Sequence, residues 1–295
     1  MSDHHHEVSG KNLFITILLN ILITLAQIIG GIFSGSLALL SDALHNFSDV
    51  LALIIAWWAN RLASKEATHQ RTFGYKRAEI LATLFNASVL VGIGVFLIVE
   101  AIEKFYNPEV IDSVIVIALG VFSIVLNALS VFLIKDDAHH NMNIKAAYLH
   151  LLTDVMTSVA VVVGGLLMYY YNLFWIDPLV TVIIAIYLIW ASLALLKESS
   201  SILMQFTPSH IDVDEIIQSI TSLGEIEDIH HIHIWKLSDH KIHLEAHLDF
   251  NHNLTLQESN RIIDILEAKL HHEFEITHTT FQCEYKRDDN KAKIA

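Results

Sequence analysis

Apolar residues dominate the first two hundred positions and gather into six segments, at 12–33, 37–62, 79–102, 112–134, 143–171 and 176–197. A helix needs about 20 predominantly apolar residues to cross the hydrocarbon core of a bilayer. Each segment therefore predicts a membrane helix. Polar interruptions separate them: SKEATHQRTFGYKR before the third, Asn107–Pro108 before the fourth, and Asp177–Pro178 at the head of the sixth. An aspartate N-cap followed by a first-turn proline fits that last start. Gly30, Gly31, Gly164 and Gly165 predict close helix–helix approach. Beyond about Phe206 the pattern shortens. VDEIIQSITSL has the spacing of an amphipathic helix, 229–235 and 241–250 read as strands, 254–274 as a second helix and 276–285 as a third strand. In the middle strand Ile242, Leu244, Ala246, Leu248 and Phe250 alternate with His243, Glu245, His247 and Asp249. The order αββαβ predicts a small sheet with helices on one face, in a domain large enough to fold alone.

The expected fold class is an α-helical membrane protein of six transmembrane helices with a C-terminal α+β domain. Its expected divisions are a histidine-containing tail at 1–11, the helical membrane domain at 12–206, the α+β domain at 207–287 and a tail at 288–295. The N-terminal MSDHHHEVSGK lacks the basic region of a secretory signal, so the first segment is expected to be retained. Arg61, Lys65, Arg71, Lys76 and Arg77 lie between segments two and three, Lys135 and Lys145 between four and five, while Lys104 stands almost alone on the other side. The positive-inside rule then puts both termini in the cytoplasm of a multi-pass protein in the cell (inner) membrane. The net charge of −14 leaves no basic face for nucleic acid. The lone Cys283 makes no intrachain disulfide and is expected to be structural.

One pattern occurs twice inside the apolar segments. His45 and Asp49 stand four residues apart in SLALLSDALHNFSDVLALIIAWWA, and His150 and Asp154 repeat that spacing in AAYLHLLTDVMTSVAVVVGGLLM. Side chains at i and i+4 share one helix face. Two such faces opposed bring two imidazoles and two carboxylates together, the four-coordinate N/O set that zinc prefers. Interhelical hydrogen bonding is the plainer alternative for one pair. Its duplication in membrane segments, where ionisable groups are costly, favours a metal site. Two carboxylates and two neutral imidazoles sum to two negative charges, which one Zn²⁺ or two protons cancel. Ligation requires the neutral ring, so metal and proton exclude each other, as an exchanger needs. For Asp42, one turn before His45, two readings stand: a carboxylate orienting a ligand or lining the entry path, or a helix-end carboxylate facing water. Asn46 is expected to be a packing residue.

SLALLSDALHNFSDV, FGYKRAEI, AAYLHLLTDVMTS and HHIHIW…LEAHL…THTTFQCE together resemble the cation diffusion facilitators, in order and over almost the whole chain. The likeness is nearest to the bacterial zinc exporters of that family. It implies a homodimer of six-helix protomers that export Zn²⁺ from the cytoplasm in exchange for protons, with a metallochaperone-like cytoplasmic domain. The transport site it implies is His45, Asp49, His150 and Asp154, with His45 favouring zinc over cadmium. In the cytoplasmic domain it implies His230 and His247 as ligands, completed by His278 or Glu284. Strand parity argues otherwise for His230, which shares parity with Ile232 and Ile234 and should face the helices. His231, His233, His243 and His247 would then occupy polar faces. Some relatives bind metal through two histidines flanking the Phe-Gly of the loop after the second helix. Here those positions are Arg71 and Tyr75, so that site is expected to be absent, with His69 left as a weak contact. Trp235 is expected to pack between subunits or helices. His139 and His140 are expected to capture zinc weakly, and His4, His5 and His6 form a further histidine run.

The implied function is a proton-coupled secondary transporter of Zn²⁺. The alternatives are a membrane-embedded zinc sensor and an exporter of broader divalent specificity (cadmium, cobalt, nickel). An enzyme is not expected: no HExxH pair occurs, and four protein ligands leave no open coordination position. Tight four-ligand binding also argues against a channel.

Overall fold

The computed structural model describes residues 4–135, 142–238, 241–288 and 290–294, with the backbone alone at 4–14, 134 and 142–147. Six long helices come first: α1 (His4–Ser34), α2 (Leu37–Ala63), α3 (Ala78–Tyr106), α4 (Ser113–Ile134), α5 (Met142–Tyr171) and α6 (Ile176–Leu203). All six are long and apolar enough to cross a membrane, the apolar part of α1 being Ile15–Ser34. The chain divides into two compact units, one of Met1–Trp58 with Ala82–Leu196 and one of Ala59–Leu81 with Lys197–Ala295.

In the helical unit, α4 packs chiefly against α5 and α1. Small residues allow the approach: a Cβ on Gly165 of α5 would fall 2.9 Å from Ile117 Cγ1 of α4. Helix ends are capped individually. Asp112 accepts from the Val114 and Ile115 amides at the start of α4. The Lys104 ammonium donates to the Gly35 carbonyl in the turn between α1 and α2, at 2.7 Å, and pairs with Glu109 at 3.2 Å.

Asp177 departs from the sequence expectation. Turns closed by Ile176 N–H to Leu173 O and Asp177 N–H to Phe174 O start α6 at Ile176, so Asp177 sits inside its first turn. Its buried carboxylate accepts instead from the Ser36 hydroxyl and from the Leu37 amide at 2.8 Å. Ser36 in turn accepts from the Leu39 amide at 3.1 Å. Asp177 thus caps α2 from another helix, placing negative charge at the positive end of the α2 dipole.

The second unit contains α7 (Val213–Thr221), β1 (Ile226–Ser238), β2 (Lys241–Phe250), α8 (Leu256–Phe274) and β3 (Ile276–Glu284). The sheet order is β1-β2-β3, with β1 antiparallel and β3 parallel to β2. Asp212 caps α7, and a Thr255–Glu258 capping box opens α8. Ile216, Ile220, Leu266 and Leu270 from the helices bury against Ile242, Leu244, Ala246, Leu248 and Phe250 of β2. That is the alternation read in the sequence.

Parity fails in β1. Ile226, Ile229, Ile232 and Ile234 all enter the core, so the side-chain face slips between 226 and 229 and again between 229 and 232. The pairing shows why: His230 lies opposite His247 but His233 lies opposite Glu245, three steps on one strand against two on the other. This β-bulge, with His231 at a φ of 50°, sends His230 to the face opposite Ile232.

Replacing Asp177 by alanine leaves the Ser36 hydroxyl and the Leu37 amide without their buried acceptor, a loss of about 1–3 kcal/mol. Thermal unfolding of the purified protein in detergent should show a lowered midpoint. An unchanged midpoint would remove the cross-helix cap from the account.

Candidate metal centres

In the helical unit, α2 carries His45 and Asp49 one turn apart, and α5 carries His150 and Asp154 in the same relation. The two stripes meet. His150 Nε2 is 3.2 Å from Asp49 Oδ2 and 3.8 Å from Asp154 Oδ2. His45 Nε2 is 3.7 Å from Asp49 Oδ2 and 3.8 Å from Asp154 Oδ1. The imidazole rings stand edge to face, 5.8 Å between centroids. His45, His150 and Asp154 offer ligand atoms all within 4.8 Å of one another, and Asp49 reaches the group through the two histidines. Access is graded: the His150 side chain is 42% exposed and that of Asp154 is fully enclosed.

Neither Asp154 oxygen accepts a hydrogen bond among the described residues, and the buried His45 Nδ1 has no partner there either. An enclosed carboxylate without donors is costly unless a cation or proton completes it. The set of two imidazoles and two carboxylates, at distances of 3.2–3.8 Å, fits a divalent ion of zinc's size and ligand preference.

Asp42 is buried and does not face water. It accepts from Gln27 Nε2 of α1 at 2.6 Å and from Thr157 and Ser158 of α5 at 2.9 and 3.1 Å. Asn46 donates to Gln27 Oε1 at 3.1 Å. This network ties three helices together directly beside the His–Asp stripes. Gln27, Thr157 and Ser158 escaped the sequence reading, although a glutamine inside the first apolar segment was the available signal.

A second convergence lies in the C-terminal domain. The bulged β1 sets fully buried His230 opposite His247 of β2. His247 Nδ1 lies 3.0 Å from Glu284 Oε1, and His230 Nε2 lies 3.5 Å from Glu284 Oε2. His230 Nδ1 is 3.3 Å from Asp249 Oδ2. Two overlapping groups result, His230–His247–Glu284 and Asp228–His230–Asp249. Asp249 was named in the sequence only as part of the polar alternation. It joins because it sits two residues from His247 on the same face and opposite Glu284 of β3.

His278 does not join this cluster. It pairs with His243, its neighbour in register on β2, at 4.7 Å between rings. Trp235 stacks on the other side of His243 at 5.4 Å, and Phe73 meets it edge to face at 6.0 Å. Burial, followed by the charges of His278 and Lys241, holds the His243 pKa below the usual histidine value. In the loop after α2, the Arg71 guanidinium lies over the Tyr75 ring at 4.8 Å, and His69 is exposed. Cys283 is exposed and accepts from the Ser259 hydroxyl at 3.2 Å. His139 and His140 lie outside the described residues, as do the side chains of His4, His5 and His6.

Comparison with known proteins agrees with this architecture. Residues 13–204 match the model of the cation efflux transmembrane domain, and 208–286 match that of the cation efflux protein cytoplasmic domain. A cadmium, cobalt and zinc/H⁺-K⁺ antiporter of Bacillus subtilis is 37% identical over 289 residues, covering 96% of this chain and 92% of the relative. The metal cation efflux system protein CzcD of Cupriavidus metallidurans is 31% identical over 284 residues, covering 95% and 89%. The zinc transporter ZitB of Pectobacterium atrosepticum is 32% identical over 295 residues, covering 98% and 90%. Six membrane-crossing helices, a small α+β domain and relatives matched nearly end to end make this chain a multi-pass member of the cation efflux, or cation diffusion facilitator, family, which comprises metal-cation transporters rather than enzymes.

Proposed function

We propose that the protein exports Zn²⁺ from the cytoplasm in exchange for protons, through a tetrahedral site made by His45, Asp49, His150 and Asp154. The observation that carries this reading is the meeting of two identical His–Asp couples from α2 and α5 around an enclosed carboxylate that has no donor among the described residues. Zinc enters from the cytoplasmic side onto neutral imidazoles and ionised carboxylates. Its two positive charges cancel the two negative charges of the carboxylates. Protons arriving from the opposite side neutralise the same groups and displace the ion. Each loaded state is thereby near neutral inside the membrane, which limits the desolvation penalty. The antiporter name carried by the Bacillus subtilis relative supports proton coupling.

In this reading the protein is a homodimer in the cell membrane with both termini cytoplasmic, and the C-terminal domain faces the metal pool that the helices deplete. The His230–His247–Glu284 cluster, with Asp249 beside it, is a second zinc site. Its buried carboxylate and two imidazoles fit a resident regulatory ion. The relatives named for cadmium and cobalt as well as zinc support a second reading, a broader-specificity exporter. Imidazole and carboxylate donors accommodate cobalt, while the softer cadmium gains least from them.

In proteoliposomes with an acid lumen, zinc should accumulate inside, and collapsing the pH gradient should slow that uptake. Asp49→Ala or Asp154→Ala leaves three ligands and an unbalanced charge, so accumulation should drop to the level of empty vesicles. Undiminished uptake by either variant would remove the site from the account. Cobalt and cadmium in the same assay separate the two specificity readings.

Zinc titration of purified protein carrying both Asp49→Ala and Asp154→Ala should retain the C-terminal site. Adding Glu284→Gln to that background should abolish it, since the substitution removes the charge shared by both histidines. Equal binding with and without Glu284→Gln would place the remaining zinc elsewhere.

A further inference from the structure

The bulge in β1 places His231 and Ile232 outside the β1–β2 register. Their amides are not left unpaired. His231 N–H donates to the Ala292 carbonyl at 3.0 Å, and Ile232 N–H to the Lys293 carbonyl at 2.8 Å. The last described residues of the chain thus lie along β1 as a short added strap. Further contacts hold it. The Asn290 carbonyl is 3.0 Å from His231 Nε2, and the Asn290 side chain accepts from the Ala292 amide at 3.0 Å. The Lys293 ammonium bonds Asp228 and the Ile229 carbonyl.

The strap carries a cation onto the histidine–carboxylate cluster. Lys291 Nζ is 2.9 Å from Asp249 Oδ2 and 3.2 Å from Glu284 Oε2. These are the same two oxygens that face His230, at 3.3 and 3.5 Å. Arg287, at the root of the tail, adds a second cation on Glu284 Oε1 at 3.0 Å. The Glu284 side chain is 1% exposed and that of Asp249 is 12% exposed. Two enclosed carboxylates require positive charge nearby, and here a tethered lysine supplies it.

We propose that the C-terminal tail is a tethered cation plug, in which Lys291 competes with a divalent metal ion for Glu284 and Asp249, so that metal binding releases the strap from β1. The proposal rests on the reading of the His230–His247–Glu284 cluster as a metal site. An ammonium and a divalent ion on the same oxygens repel each other in a poorly solvated pocket. Each therefore weakens the other, and by linkage the effect is reciprocal. At low metal the lysine holds the carboxylates and the tail stays paired with the bulge. At high metal the ion takes both oxygens, Lys291 moves into water, and the strap loses its ionic anchor on the cluster, keeping the Lys293–Asp228 pair and its backbone bonds to β1. The tail converts metal occupancy of the domain into a change of its own position.

The test uses the full-length protein in detergent, carrying Asp49→Ala and Asp154→Ala so that zinc reports only on the C-terminal domain. Lys291→Ala should tighten calorimetric zinc binding at least about tenfold, or about 1.4 kcal/mol, while Lys291→Arg should stay near the parent value. A spin label on Ile294→Cys, a position 67% exposed, with Cys283→Ser, should become more mobile on zinc addition, with a midpoint that follows the calorimetric one. Zinc binding at unchanged affinity in Lys291→Ala, with the label unmoved, overturns the plug and leaves the metal site standing. No zinc binding by the parent or by Lys291→Ala overturns the site and the plug together.

Discussion

Asp154 sets the terms for the helical unit. Its carboxylate is enclosed by the bundle and accepts no hydrogen bond among the described residues, yet both oxygens lie within 3.8 Å of an imidazole. Such a group is costly unless a cation or a proton completes it. The neighbouring carboxylate shows the contrast. Asp42, equally buried, is satisfied by three neutral donors from α1 and α5. One carboxylate is built into the scaffold, and the other is left available for a cation or proton. The two acids, one on α2 and one on α5, thus differ in whether neutral donors satisfy them.

The scaffold around the site serves to fix α2 against α5. Gln27 and Asp42 join α1, α2 and α5 at the level of the His–Asp stripes. At the far end, Asp177 of α6 holds the first turn of α2 through Ser36 and Leu37. Glycine contacts close the α4–α5 seam. Polar contacts at specific residues of α1 and α6 thus fix α2, while apolar packing alone would leave helix register loosely set.

Hydrophobic patterning was enough to place the six helices and the αββαβ domain, because runs of about 20 apolar residues and a clean period of two are strong local signals. The His45/Asp49 and His150/Asp154 couples were legible for the same reason: a shared spacing on an apolar background stands out. Non-local contacts did not. Nothing near Asp177 announces that it caps a different helix, and Gln27 gives no hint that its partner is Asp42. The bulge at His231 was the sharpest failure. One extra residue in β1 reverses every side chain beyond it, so parity sent His230 into the core when it belongs with His247 and Glu284. The family resemblance also nominated His278, which register pairs with His243 instead. In the C-terminal domain the acids and imidazoles gather by strand pairing, and the tail that crosses them is invisible to any periodicity.

The central claim is that one divalent ion is held jointly by α2 and α5. X-ray absorption at the zinc edge, on protein carrying Glu284→Gln to remove the C-terminal site, tests it most directly. The account predicts four light-atom neighbours at about 2.0–2.1 Å, two of them with the outer-shell scattering of imidazole. A six-oxygen shell, or a shell containing no imidazole, would contradict it.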